Sequence, residues 1–161
     1  MGNGRTQGGP ATDDDEEMGD VVDEVTGLAN RRGFMEILRM EERRHARYGG
    51  SPILVLVDVA KALARRPEAE QGEILLETAA IIADAMRDTD TVARVDDTRF
   101  GILAIQAGCS GFSIVGRLKL QFELRRISQV DVTVGESGSL IAAWRALETP
   151  TAQQPPLRLV R

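Results

Sequence analysis

The chain contains one cysteine, Cys109, and one histidine, His45, among its 161 residues. A lone cysteine excludes an intramolecular disulfide and a cysteine-based metal cluster. Aromatic residues make up only 4% of the chain, so a buried core has to be assembled from Ile, Leu, Val and Ala. No apolar run approaches the ~20 residues needed to cross a bilayer. The N-terminus lacks the basic-then-apolar pattern of a secretory signal. These absences point to a soluble, cytoplasmic protein with no membrane association. His45 is flanked by Arg43, Arg44 and Arg47, which marks a solvated helix face rather than a catalytic base.

Charge is present but uneven. The formal net charge is -5, and much of the acid lies in Asp13-Asp14-Asp15-Glu16-Glu17, within a Gly-rich stretch that has no apolar periodicity. Residues 1–21 therefore read as a disordered acidic leader. The remainder is nearly neutral and rich in arginine, which argues against a general nucleic-acid binder while permitting arginines that recognise a small anion. The length suits about one domain.

Hydrophobic spacing predicts the elements. Phe34, Ile37, Leu38 and Tyr48 share one side of a helix from Asn30 to Tyr48, with Asn30 as its N-cap and Gly49-Gly50 as its end. "PILVLVDV", Pro52 to Val59, is apolar on both faces and suits a central strand covered by helices on each side. A second helix is expected from Gln71 to Met86, and a hairpin from Thr91–Val95 and Arg99–Ile105. A third helix should carry Phe112, Val115, Leu118 and Phe122 as far as Ile127. Val130–Gly135 alternates as a strand does, and a short helix carries Leu140, Trp144 and Leu147. From Thr149 the chain reads as a loop, with Leu157–Val160 a candidate edge strand. The expected fold is an α/β sandwich whose central mixed sheet contains an antiparallel hairpin flanked by helices.

The stretch "DEVTGLANRRGF", Asp23 to Phe34, closely resembles the opening motif of GGDEF domains, the catalytic domains of diguanylate cyclases, and "RDTDTVAR" before the hairpin also follows that pattern. The resemblance runs to about Leu147. It implies a palm-like fold and divides the chain into a leader (1–21), a GGDEF-type domain (22–148) and a tail (149–161). Active members of that family join two GTP molecules into cyclic di-GMP. Their Mg²⁺ is held by two carboxylates, because a hard cation wants oxygen ligands at about 2.1 Å, and it stabilises charge developing on the phosphoryl oxygens.

Carried over position by position, Asp58 takes the first metal position. The Gly-Gly-Asp-Glu-Phe hairpin becomes Asp96-Asp97-Thr98-Arg99-Phe100. Only Phe100, a packing residue, is retained. Thr98 replaces the second metal carboxylate, Arg99 replaces an acid, and Asp96 and Asp97 put side chains and negative charge where a triphosphate should approach. The segment after Asp58, "VAKALARRPEAEQGE", is about two residues short and lacks the Asn-Asp pair that helps bind GTP. The resemblance thus implies a degenerate, non-catalytic member with no cofactor. Asp96 and Asp97 read as residues that favour the bend rather than as metal ligands.

Many GGDEF domains also carry an inhibitory site for cyclic di-GMP, marked by Arg-x-x-Asp five residues before the hairpin motif. Here Arg87-Asp88-Thr89-Asp90 is followed by Thr91–Val95 and then by the altered tip. Arg117 falls at the position of a further arginine if one loop residue is deleted, and Arg94 is an additional candidate. Arginine's planar fork suits guanine O6 and N7 or a phosphate, and a carboxylate accepts from the guanine N1 and N2 edge. The plainer alternative is that Asp90 only caps the turn and Arg87 pairs with it. Three functions are therefore open: a cyclic di-GMP receptor signalling through a protein partner or a homodimer, a scaffold that binds no nucleotide, and a weak GTP binder using Asp58, Arg65, Arg66 and Arg99.

Overall fold

The computed structural model describes residues 21–105, 110–135 and 138–149. The leader up to residue 20 and the strand expected at Leu157–Val160 lie outside the described residues. In chain order the elements are α1 (Arg31–Tyr48), β1 (Ile53–Asp58), α2 (Ala60–Leu63), α3 (Glu68–Ala85), β2 (Thr91–Arg94), β3 (Arg99–Ala104), α4 (Gly111–Leu124), β4 (Asp131–Gly135) and α5 (Leu140–Glu148).

Local chemistry sets several of these boundaries. Asn30 caps α1, its Oδ1 accepting from the Gly33 amide at 3.0 Å, and Gly49 ends the helix at φ 72°, a conformation glycine adopts without strain. Helix α3 begins at Glu68, behind Pro67, three residues earlier than its apolar periodicity indicates. Its first turn is acidic, with Glu68 and Glu70, which complements the positive end of the helix dipole. The short helix α2 was not expected, since four residues carry too little periodicity to declare it. Helix α4 stops at Leu124, before Ile127, in a turn that puts Arg126 at φ 58°.

The strands form a four-stranded sheet in the order β2-β3-β1-β4. All three ladders are antiparallel, and the parallel component is a single bridge from Ala29 to Ala93. Strand β1 is central, as its apolar faces required. Val55 and Val57 face a cluster with Ile81, Ile82, Ile114 and Leu118 from α3 and α4. Leu54 and Leu56 face a second cluster with Phe34 and Leu38 of α1 and Trp144 of α5. Here Phe34 and Trp144 pack edge to face at 4.9 Å, whereas Phe100 and Phe122 belong to the first cluster. Gly101 of β3 makes room for both rings, since a Cβ there would come within 2.8 Å of Phe34 and 2.9 Å of Trp144. Tyr48 and Phe112, grouped by spacing with the apolar positions of their helices, are 76% and 73% exposed.

Candidate functional site

The end of β1 and the hairpin tip are brought together by register, with Asp58 opposite Arg99 on one side and Asp131 on the other. Asp58 Oδ1 accepts hydrogen bonds from the Ala60 amide at 2.8 Å and from the Thr98 hydroxyl at 3.2 Å. The Val59 amide donates to the Thr98 carbonyl at 3.0 Å, locking the strand end to the tip. Across β4, Lys61 Nζ pairs with Asp131 Oδ2 at 2.8 Å. The Asp131 carboxylate, by hydrogen bond and by charge, raises the Lys61 ammonium above its ordinary value. Asp58 adds its charge in the same direction, so the ammonium lies within its field.

These residues do not suit a magnesium ion. Mg²⁺ requires an octahedron of oxygens, usually including carboxylates and substrate phosphates. Here one Asp58 oxygen is taken by two donors, Asp131 is held by an ammonium, and the residue facing Asp58 is a neutral hydroxyl that donates to it. Among the described residues no group of three His, Cys, Asp or Glu side chains could hold a metal. Hydrogen bonds and the exposed Lys61–Asp131 pair occupy this corner.

The tip itself is a capped turn. Asp96 Oδ1 accepts from the Thr98 amide at 3.0 Å and the Arg99 amide at 2.9 Å, and its Oδ2 pairs with Arg99 Nε. This is the bend-forming role expected of an acid in that position. Arg99 reaches on to the Glu148 carbonyl at 3.1 Å, and the Glu148 carboxylate pairs with Arg31. The tip is thereby tied to the end of α5 and the start of α1. Arg94 donates to the Asp97 carbonyl at 3.1 Å and to Asp23 Oδ1 at 3.2 Å. Burial pushes the Asp23 carboxyl up, but the Thr26 hydroxyl and amide and the Arg94 guanidinium outweigh it and hold the group below the usual carboxylate range. Phe100 is fully buried, as a packing residue should be.

The Arg-x-x-Asp segment forms a separate corner, before β2. Asp90 Oδ2 accepts from the Arg87 amide at 3.0 Å, and its Oδ1 accepts from the Ile105 amide at 3.2 Å. The Asp90 amide returns a bond to the Arg87 carbonyl at 2.9 Å. Arg87 and Asp90 therefore share one turn through the backbone, with Arg87 exposed. Arg117 lies on α4, which packs beside α3. It is half-buried, and its Nε has no hydrogen-bond partner among the described residues. Arg94 is at the far end of β2 and is engaged with the tip.

The family resemblance singles out Asp58, Arg87, Asp90 and the tip in the sequence. It gives no sign of Lys61, Asp131, Glu148 or the Asp23–Arg94 pair, whose members meet only through the fold.

Comparison with known proteins agrees with this architecture. The family model described as "Diguanylate cyclase, GGDEF domain" matches residues 20–127. The palm-like α/β sandwich is the class that the fold defines, and the chain belongs to the GGDEF domain family. Among solved structures it is similar to the coiled coil and GGDEF domain of DgcB from Caulobacter crescentus, solved in complex with c-di-GMP. That match has a TM-score of 0.66 and 14% identity, covering 82% of this chain and 78% of that one. The GGDEF domain of TpbB (YfiN) from Pseudomonas aeruginosa matches with a TM-score of 0.64 and 19% identity, covering 77% of this chain and 82% of that one. Diguanylate cyclase SiaD from Pseudomonas aeruginosa, solved with its activator SiaC, matches with a TM-score of 0.61 and 22% identity, over 83% of this chain but only 62% of SiaD. No curated protein matches the chain. None of the described helices is long and apolar enough to cross a membrane.

Proposed function

We propose that this chain is a catalytically silent GGDEF domain that reads cyclic di-GMP instead of making it, in the cytoplasm and without nucleic acid or membrane as a partner. The observation that carries the first half is the hydrogen bond from the Thr98 hydroxyl to Asp58, beside the Lys61–Asp131 pair. Two GTP molecules could not be activated where the second carboxylate is a hydroxyl and Arg99 is bound to Asp96 and Glu148.

The second half is supported by the turn at Arg87 and Asp90. Two backbone amides fix the Asp90 carboxylate in orientation, and a carboxylate is the kind of acceptor that the guanine N1 and N2 edge calls for. Arg87 supplies an exposed fork, and Arg117 is half-buried on α4. Arg94 supports the hairpin rather than the ligand, because Asp23 and Asp97 already engage it. DgcB, of similar fold, was solved with c-di-GMP.

The signal would pass to a protein partner or to a second copy. A nucleotide-independent scaffold is the second reading, favoured by the exposed Phe112, Leu120 and Leu124 on α4, large apolar side chains of the kind that serve protein contacts. Incubation with GTP and Mg²⁺, followed by chromatography, should yield no cyclic di-GMP, and calorimetry should register binding of added cyclic di-GMP. Turnover of GTP would overturn the first half. Absence of binding, with a partner retained regardless of ligand, would leave the scaffold.

A further inference from the structure

Arg65 and Arg66 form the turn between α2 and α3, in the segment where the family resemblance leads one to expect residues that read a base. That turn is held firmly. The Arg66 amide donates to the Leu63 carbonyl at 2.9 Å, and the Gln71 side-chain amide donates to both the Leu63 and Arg66 carbonyls at 3.3 Å. Opposite it, the chain leaving α4 closes with the Ile127 amide on the Phe122 carbonyl and the Arg126 amide on the Glu123 carbonyl, each at 3.0 Å. This is the left-handed helix ending in which glycine is the usual residue at the position Arg126 occupies. Arg126 sits there at φ 58°, a conformation in which a side chain is sterically penalised. Among the described residues it is one of two non-glycine residues at positive φ, with Gln129 at 64°, and such a conformation motivates a functional hypothesis.

Between the two turns is a cavity of about 220 Å³ lined by Arg65, Arg66, Arg126, Ser128, Ala62 and Ile74. Of these, Arg65, Arg66, Arg126 and Ser128 are exposed, while Ala62 is buried and Ile74 half-buried. Compensation by protein acids is slight. Arg66 reaches Glu70 only at 3.8 Å, with both side chains half exposed, an arrangement that contributes little. Among the described residues neither Arg65 nor Arg126 has a carboxylate within 4.0 Å. The volume is below that of pockets that enclose whole drug-sized ligands, and planar guanidinium forks match phosphate oxygens.

We propose that Arg65, Arg66 and Arg126 form a site for one or two linked phosphoryl groups, either free polyphosphate or the terminal phosphates of a nucleotide. It is separate from the Arg87–Asp90 corner and does not depend on the reading given above. Arg99, the remaining arginine near Asp58, takes no part, because Asp96 and Glu148 hold it.

Calorimetry of the intact chain with sodium pyrophosphate at low salt tests this, with Arg126→Gly as the informative variant. Glycine suits the turn, so the variant should melt at the same temperature or higher, while pyrophosphate binds at least tenfold more weakly. The double variant Arg65→Ala/Arg66→Ala should lose binding to a similar degree. If GTP competes with pyrophosphate, the pocket seats a nucleotide's phosphates, and if it does not, free polyphosphate is the ligand. Either result keeps the site. It is overturned if pyrophosphate does not bind, if Arg126→Gly binds it unchanged, or if cyclic di-GMP displaces it competitively.

Discussion

Asp23 and Arg94, 71 positions apart, meet at 3.2 Å, with side chains 18% and 11% exposed. Through this contact the opening motif grips the base of the hairpin, and the same guanidinium steadies the tip at the Asp97 carbonyl. Removing one partner leaves the other charged and poorly hydrated. Arg94→Ala should therefore destabilise the domain by about 2–3 kcal/mol, read as a lower urea midpoint.

The same pair sets a pH dependence. The folded-state pKa of Asp23 is depressed, so its contribution is fully present above the free-carboxylate value of about 3.9. It is lost as pH falls through the lower folded value. Urea midpoints measured from pH 6 down to pH 2 should fall more steeply below about pH 4 in the native protein than in Asp23→Asn. The variant should also be less stable at pH 7. Parallel curves would show that the pair contributes nothing.

Thr98 offers a direct probe of the closed corner. Thr98→Asp replaces a hydrogen-bond donor with a second carboxylate facing Asp58, where the native side chains lie 3.2 Å apart. Like charges at that range repel, so the variant should melt lower than the native protein in the absence of metal. Mg²⁺ should then raise its melting temperature while leaving the native protein unchanged. A native protein stabilised by millimolar Mg²⁺ would contradict the absence of a metal site.

Gly101 tests the packing of the second core. Alanine there would force its Cβ against Phe34 and Trp144 at under 3 Å, and neither fully buried ring can yield without disturbing the other. Gly101→Ala should cost about 1–3 kcal/mol, measured by chemical denaturation.

Legibility in the sequence followed the range of each interaction. Asn30 and Gly49 could be read because capping is local, and β1 because its two-sided apolar run admits only a central strand. The start of α3 could not, since Pro67-Glu68 declares a helix through φ and charge rather than through apolar spacing. Periodicity also grouped Tyr48 and Phe112 with the apolar positions of their helices. Both lie in the end turns of their helices and are exposed. At the candidate site, Asp96 was recognisable as a turn former. The tie from Arg99 to Glu148, 49 residues away, has no local signal, and neither has the Lys61–Asp131 pair. Asp90 combines both readings taken from the sequence, capping the turn while standing in the Arg-x-x-Asp frame.

The most direct measurement is a calorimetric titration of cyclic di-GMP into the native protein and into Arg87→Ala, side by side. We expect saturable binding by the native protein and affinity at least tenfold weaker in the variant, whose backbone contacts to Asp90 are left in place. No heat from the native protein, or equal affinities in the two, would contradict a receptor built on Arg87 and Asp90.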